Sequence, residues 1–166
     1  MPEQRRIVEL GVGDVDLVEG LWKEMVAHHH AVVGEALPER DPEEAWRLRR
    51  AMYVEWLTAG EGRLFLVPGE GAEGVPLGYA CLRVGPPPST WDLGEPFGDL
   101  ESLCVAAGAR GLGIGTLLIE HCRGLLRERG VRWWSVTVVS ANEDAIRLYE
   151  REGFRDRSHN MLAAIE

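Results

Sequence analysis

No apolar run in this sequence approaches the roughly twenty residues that carry a helix across a bilayer, so no membrane span and no membrane partner are expected. The first residues, with Glu3, Arg5 and Arg6, lack the apolar core of a signal peptide, which makes the cytoplasm the expected location. Cysteine is scarce as well. Cys81, Cys104 and Cys122 are odd in number, far apart and each set in an apolar segment, so they read as reduced, buried thiols. Basic residues are outnumbered, 18 Lys and Arg against 27 Asp and Glu, and a net charge of -9 argues against nucleic acid as the main partner. Repeats, low-complexity tracts and linkers are missing too. Residues 1–166 therefore read as one domain, with 45% hydrophobic residues to build a sizeable core.

What the chain does have is a glycine-rich unit within residues 99–129. Residues 99–105 read as a half-buried strand, Arg110-Gly-Leu-Gly-Ile-Gly115 as a turn, and the following run as a helix that begins there. Ile114, Leu117, Leu118, His121, Cys122 and Leu125 recur at the spacing of one buried stripe, which makes His121 and Cys122 packing residues. Gly130, after Arg127 and Arg129, reads as the C-cap.

The first N–H groups of a helix have no intrahelical partner and carry about half a positive charge between them. Without a Cβ, Gly111, Gly113 and Gly115 would let a phosphate approach those donors, and Arg110 adds a charge at the same place. Three alternate glycines and an arginine exceed what a turn needs, so a ligand bearing a pyrophosphate is expected. Two better-known phosphate loops do not fit. The dinucleotide fingerprint requires glycine where Thr116 or Leu118 stands, and the nucleoside triphosphate loop requires a lysine that is not there. NAD and ATP are set aside on that ground.

Along the rest of the chain, residues 7–12 read as a strand, and Asp14 or Asp16 as the cap of a helix with the stripe Val18, Leu21, Trp22, Met25, His29 and Val32. Asp41-Pro42-Glu43-Glu44 is a capping box that opens a second helix, with Trp46, Arg49, Met52, Tyr53, Trp56 and Leu57 on one side. Residues 64–67 and 75–84 read as a hairpin across a turn at 68–74, and residues 85–98 are too rich in proline for regular structure. Residues 132–139 alternate like a strand. Ser140-Ala-Asn-Glu143 reads as another capping box, opening a helix that carries Ala145, Leu148 and Tyr149 and ends at Gly153. Residues 155–165 are expected to close the sheet. The sum is an α/β fold, a single mixed, mostly antiparallel central sheet flanked by helices.

At this point two segments resemble motifs of the GCN5-related N-acetyltransferases. Arg110-Gly-Leu-Gly-Ile-Gly115 resembles that family's Arg/Gln-x-x-Gly-x-Gly/Ala motif, and residues 142–154 resemble its Asn-x-x-Ala-x-x-Leu-Tyr-x-x-x-Gly-Phe segment. The resemblance covers residues 100–154, about a third of the chain. It implies acetyl-CoA as co-substrate, no metal, and acetyl transfer to a primary amine, on a small molecule or a peptide, by direct attack in a ternary complex. Under it, the pyrophosphate sits on the amides of Gly111, Gly113, Gly115 and Thr116 beside Arg110. The pantetheine arm pairs with the backbone of Leu103, Cys104 and Val105, where a backbone N–H polarises the thioester carbonyl. Asn142 helps to hold that arm, and Tyr149 is the general acid for the leaving thiolate.

Other residues keep two readings. By helix geometry alone Tyr149 is a core aromatic beside Ala145 and Leu148. Asp99 and Glu101, two apart on a strand and so on one face, are either the base that deprotonates the amine or solvated strand-end charges. Cys104 is expected on the opposite face, which rules out a cysteine acyl carrier. His28, His29 and His30 point three ways around a helix and cannot converge on a metal; His29 or His30 is a core or acceptor-side residue. The alternative function is a non-catalytic acyl-CoA sensor of the same fold. Dimers are frequent in that family, and an exposed final strand at residues 155–165 would be the surface for a homodimer here.

Overall fold

The computed structural model describes residues 5–34, 37–70 and 74–165. Glu3, the middle of the expected turn at 71–73, and the two ends of the 1–166 domain lie outside the described residues. In chain order the elements are β1 (Val8–Leu10), α1 (Glu19–Val33), α2 (Pro42–Thr58), β2 (Gly62–Val67), β3 (Gly78–Gly85), β4 (Phe97–Val105), α3 (Ile114–Glu128), β5 (Trp134–Val136) and α4 (Glu143–Arg151). The five strands lie side by side in chain order; the first four are antiparallel and β5 runs parallel to β4. The expected mixed, mostly antiparallel sheet is present, with the expected β2–β3 hairpin.

Local chemistry explains most of the boundaries. The Asp41 carboxylate accepts the amides of Glu43 and Glu44, both at 3.1 Å, and Pro42 opens α2 where no N–H is needed. Neither Asp14 nor Asp16 caps α1, contrary to expectation. A 3-10 segment, Val12–Val18, intervenes; Asp14 closes on the Gly11 amide, and Asp16 takes both arms of the Arg50 guanidinium at 2.6 and 3.0 Å. Asn142, not Ser140, caps α4, accepting the Ala145 amide at 3.3 Å.

Two stripes need correction. On α2, Met52 is exposed while Trp46, Tyr53 and Trp56 are buried. On α3 the buried line is Ile114, Gly115, Leu118, Ile119, Cys122 and Leu126; Leu117, His121 and Leu125 are half-buried. His121 still packs, edge-on to Phe65 at 4.7 Å between ring centres. No strand forms in residues 155–165, so the sheet ends at β5. The run Asp156-Arg157-Ser158-His159-Asn160 has no apolar residue to give a strand a buried face. With that strand goes the surface expected to support a homodimer.

The sheet has a core on each side. One packs Leu64, Leu66, Tyr79 and Cys81 against Val18, Leu21, Trp22, Trp46, Tyr53 and Trp56 of the α1 and α2 side. The other packs Phe65, Leu82 and Leu100 against Ile114, Leu118, Ile119 and Cys122 of α3, with Tyr149 of α4.

Candidate active site

Alternation along β4 is broken at one residue. Leu82 of β3 faces Leu100 and the next residue, Cys81, faces Ser102, which leaves Glu101 as an unpaired bulge. The bulge resets the side-chain parity. Leu100, Leu103 and Val105 join the α3 core. Ser102 and Cys104 turn to the α1 and α2 side, where Glu101 also reaches Arg49. Cys104 therefore shares a face with the two carboxylates, contrary to the alternation argument. It is nonetheless shut away: its thiol donates to the Leu21 carbonyl at 3.2 Å, and burial pushes its pKa up to about 12.

A second irregularity opens a gap. β5 pairs with β4 only at Gly98, Asp99 and Leu100 and then ends. Beyond Leu100, β4 continues to Val105, so the backbone of Leu103, Cys104 and Val105 has no strand on that side among the described residues. The gap runs towards the glycine turn. There Gly111 and Gly113 have φ of 76° and 79°, the left-handed region that a Cβ disfavours. Gly113 is the N-cap of α3 and offers no capping side chain, so the first amides of the helix stay open to a ligand. Gly115 has a different reason: a Cβ there would stand 3.1 Å from Leu148 of α4. Arg110 and Thr116 are exposed beside the turn, and Arg5, which sequence reasoning did not single out, donates to the Leu112 carbonyl in it.

Asp99 and Glu101 occupy the α2 side of β4. Asp99 is half-buried; desolvation first, then the charge of Glu101, raise its pKa to about 6, against the opposing hydrogen bond from Ser135 and the charge of Arg83. Ser135 Oγ donates to Asp99 Oδ1 at 3.1 Å. Glu101 Oε1 accepts from Arg49 Nη1 at 3.0 Å. Beneath the bulge, Tyr53 and Tyr79 are fully buried, and the Tyr53 hydroxyl lies 2.7 Å from Ser102 Oγ and 3.1 Å from the Tyr79 hydroxyl. Burial drives the Tyr53 pKa up to about 12 and that of Tyr79 well above the ordinary value, so both hydroxyls are neutral.

On the other side of β4, Tyr149 is buried against Phe154, with ring centres 5.7 Å apart. Desolvation, then the Cys104 thiol, raise its pKa, so it is protonated at neutral pH, and its hydroxyl makes no hydrogen bond with the described residues. Asn142 is buried; its carboxamide oxygen is spent on capping α4, which leaves its NH2 donors. His30 pairs with Glu39 at 3.3 Å, while His29 is half-buried and its pKa is lowered by burial and its histidine neighbours. No cluster able to hold a metal occurs among the described residues.

Arg49, Ser135, Ser102 and the Tyr53–Tyr79 pair were not legible as site residues. The signal available was Arg49 on an otherwise apolar stripe of α2, where a charge needs a partner.

The Acetyltransferase (GNAT) family model matches residues 24–154. Streptothricin acetyltransferase of Streptomyces lavendulae is 37% identical over 84 residues, 51% of this chain; the match spans 41% of that protein's own length. Among solved structures, a GCN5-related N-acetyltransferase from Ralstonia eutropha superposes with a TM-score of 0.72 at 21% identity, covering 98% of this chain and 99% of that one. Aminoglycoside N-acetyltransferase AAC(6')-Iy, in complex with CoA, superposes with a TM-score of 0.70 at 17% identity, covering 99% and 98%. These likenesses bear on the fold.

Proposed function

This chain belongs to the GNAT acetyltransferase family, and on that premise we propose that it transfers the acetyl group of acetyl-CoA to a primary amine by direct attack in a ternary complex. The observation that carries the reading is the gap between β4 and β5, which leads to uncapped helix amides at the glycine turn. The amides of Gly111, Gly113, Gly115 and Thr116, with Arg110, receive the pyrophosphate. Leu103, Cys104 and Val105 supply the strand edge for the pantetheine arm, with Asn142 contributing its NH2. A backbone N–H of that edge polarises the thioester carbonyl as charge develops.

An amine of pKa ~10.4 costs about 4–5 kcal/mol to deprotonate at pH 7. The Asp99–Glu101 pair takes that proton and later releases it to solvent. The C–N bond forms as the C–S bond breaks. Tyr149 gives its proton to the leaving thiolate and is restored by the second proton, lost from the new amide nitrogen. With Cys104 buried and protonated, no acyl-cysteine step is invoked. The acceptor is a small-molecule amine; the likeness to a streptothricin acetyltransferase supports that class over a peptide.

Acetyl-CoA at a hundred times its Kd is expected to stabilise the fold by about 2.7 kcal/mol, a rise in Tm of roughly 5–10 °C, with no effect from NAD or ATP. Release of free thiol from acetyl-CoA across a panel of amines then separates an enzyme from a binding-only sensor. No Tm shift with acetyl-CoA overturns both.

A further inference from the structure

The two carboxylates at the bulge are held unequally. Glu101 is bonded to a guanidinium; Asp99 accepts from a hydroxyl and, when protonated, shares its proton with Glu101, but touches no cation. Arg49 is itself clamped, with its guanidinium carbon 5.6 Å from the ring centre of Tyr53 and 6.0 Å from that of Trp56. Its side chain is 25% exposed and that of Glu101 21%, so this ion pair is shielded in a way the exposed pairs of α4 are not. The other charged or titratable groups facing the two carboxylates do not repeat the contact. Arg83 of β3 lies 4.3 Å over the Trp56 ring and turns to Glu61. Cys81 of β3 and Tyr53 and Tyr79 are buried and neutral. Ser135 of β5 carries no charge.

We propose that Arg49 is a positioning residue that divides the work of the two carboxylates: it anchors Glu101 on the bulge, facing the incoming ammonium group, and leaves Asp99 free to take the proton. The inference rests on the amine-acetylating reading. On it, the bulge lets one anchored and one unanchored carboxylate share a face. Removing a cation from beside two carboxylates makes the second ionisation harder, and lysine in the same place restores the charge without the fork.

The test is the pH dependence of kcat/KM for an accepted amine at saturating acetyl-CoA. For the unaltered protein the acid limb has its midpoint near pH 6, where Asp99 titrates. Arg49→Met is expected to raise that midpoint by about one unit, so kcat/KM at pH 5.5 falls roughly tenfold further than at pH 8.5. Arg49→Lys returns the midpoint to within a few tenths of a unit. Glu101→Gln lowers the midpoint and keeps a measurable plateau, whereas Asp99→Asn removes the limb with most of the rate. An unmoved or lowered midpoint in Arg49→Met overturns the proposal. So does a Glu101→Gln loss equal to that of Asp99→Asn at every pH, a comparison that needs no Arg49 variant to fold. If no amine is acetylated at all, the reading beneath fails instead. Carboxyl carbon NMR titration of the ligand-free protein then still decides whether Arg49→Met raises the Asp99 midpoint.

Discussion

The two faces of the sheet are built from different materials. Towards α3 the packing is mostly aliphatic, with Leu82, Leu100, Ile114, Leu118, Ile119 and Leu126 all but fully buried and Phe65 and Tyr149 as the buried aromatics. Towards α1 and α2 it is aromatic, with Trp22, Trp46, Tyr53, Trp56 and Tyr79, and it carries a buried hydroxyl network and an ion pair. Aliphatic side chains offer a buried charge nothing, whereas ring faces and phenol hydroxyls can accept or donate. The difference explains where the two carboxylates sit. The α3 face fixes the glycine turn and the helix amides; the α2 side gives Asp99 and Glu101 their polar partners, Ser135 and Arg49.

That contrast is most directly broken by Asp99→Asn. Loss of a general base is expected to lower kcat by about 10²–10⁴-fold. The same variant is expected to raise Tm at pH 7.5. The folded pKa of Asp99, about 6, lies above its ordinary 3.8, so the folded state binds the proton more tightly, and stability is lost as pH rises between those values. Near pH 3.5 the variant and the parent should melt together. An unchanged Tm at pH 7.5 would mean that Asp99 is not held at a desolvation cost.

Next in size is Tyr149→Phe, expected to lower kcat roughly tenfold to a hundredfold while acetyl-CoA affinity by calorimetry changes less than about threefold. Equal kcat would remove the phenol from the mechanism. A pair of core changes then sharpens the comparison of faces. Leu118→Ala should cost about 2–5 kcal/mol in urea melts and leave the pH profile alone. Tyr53→Phe should cost about 1–3 kcal/mol by stranding Ser102, and should also disturb kcat, because the bulge rests on that hydroxyl. The smallest effect is that of Gly113→Ala, about 1–2 kcal/mol for a Cβ at φ 79°. It should be accompanied by weaker acetyl-CoA binding, which Leu118→Ala should not show.

How legible all this was depended on range. Asp41 and Pro42 announce α2 because a cap acts on amides two and three residues away. The glycine turn and the α4 segment were readable for the same reason, as each packs its constraint into consecutive residues. What could not be read was set by partners far along the chain. The bulge at Glu101 exists because β3 and β4 pair out of step, so parity counted from Asp99 misplaced Cys104. The ion pair between Arg49 and Glu101 joins residues 52 apart, and nothing in either neighbourhood names the other. The expected final strand answers only the need to close a sheet, since residues 155–165 have no apolar alternation.

The proposed chemistry requires the gap between β4 and β5 to be the acetyl-CoA site. Backbone amide NMR of the protein titrated with acetyl-CoA tests it most directly. The expected result is a set of large shift changes confined to Leu103, Cys104, Val105 and the run from Arg110 to Thr116. Saturable changes that spare both stretches and gather elsewhere on the chain would contradict it.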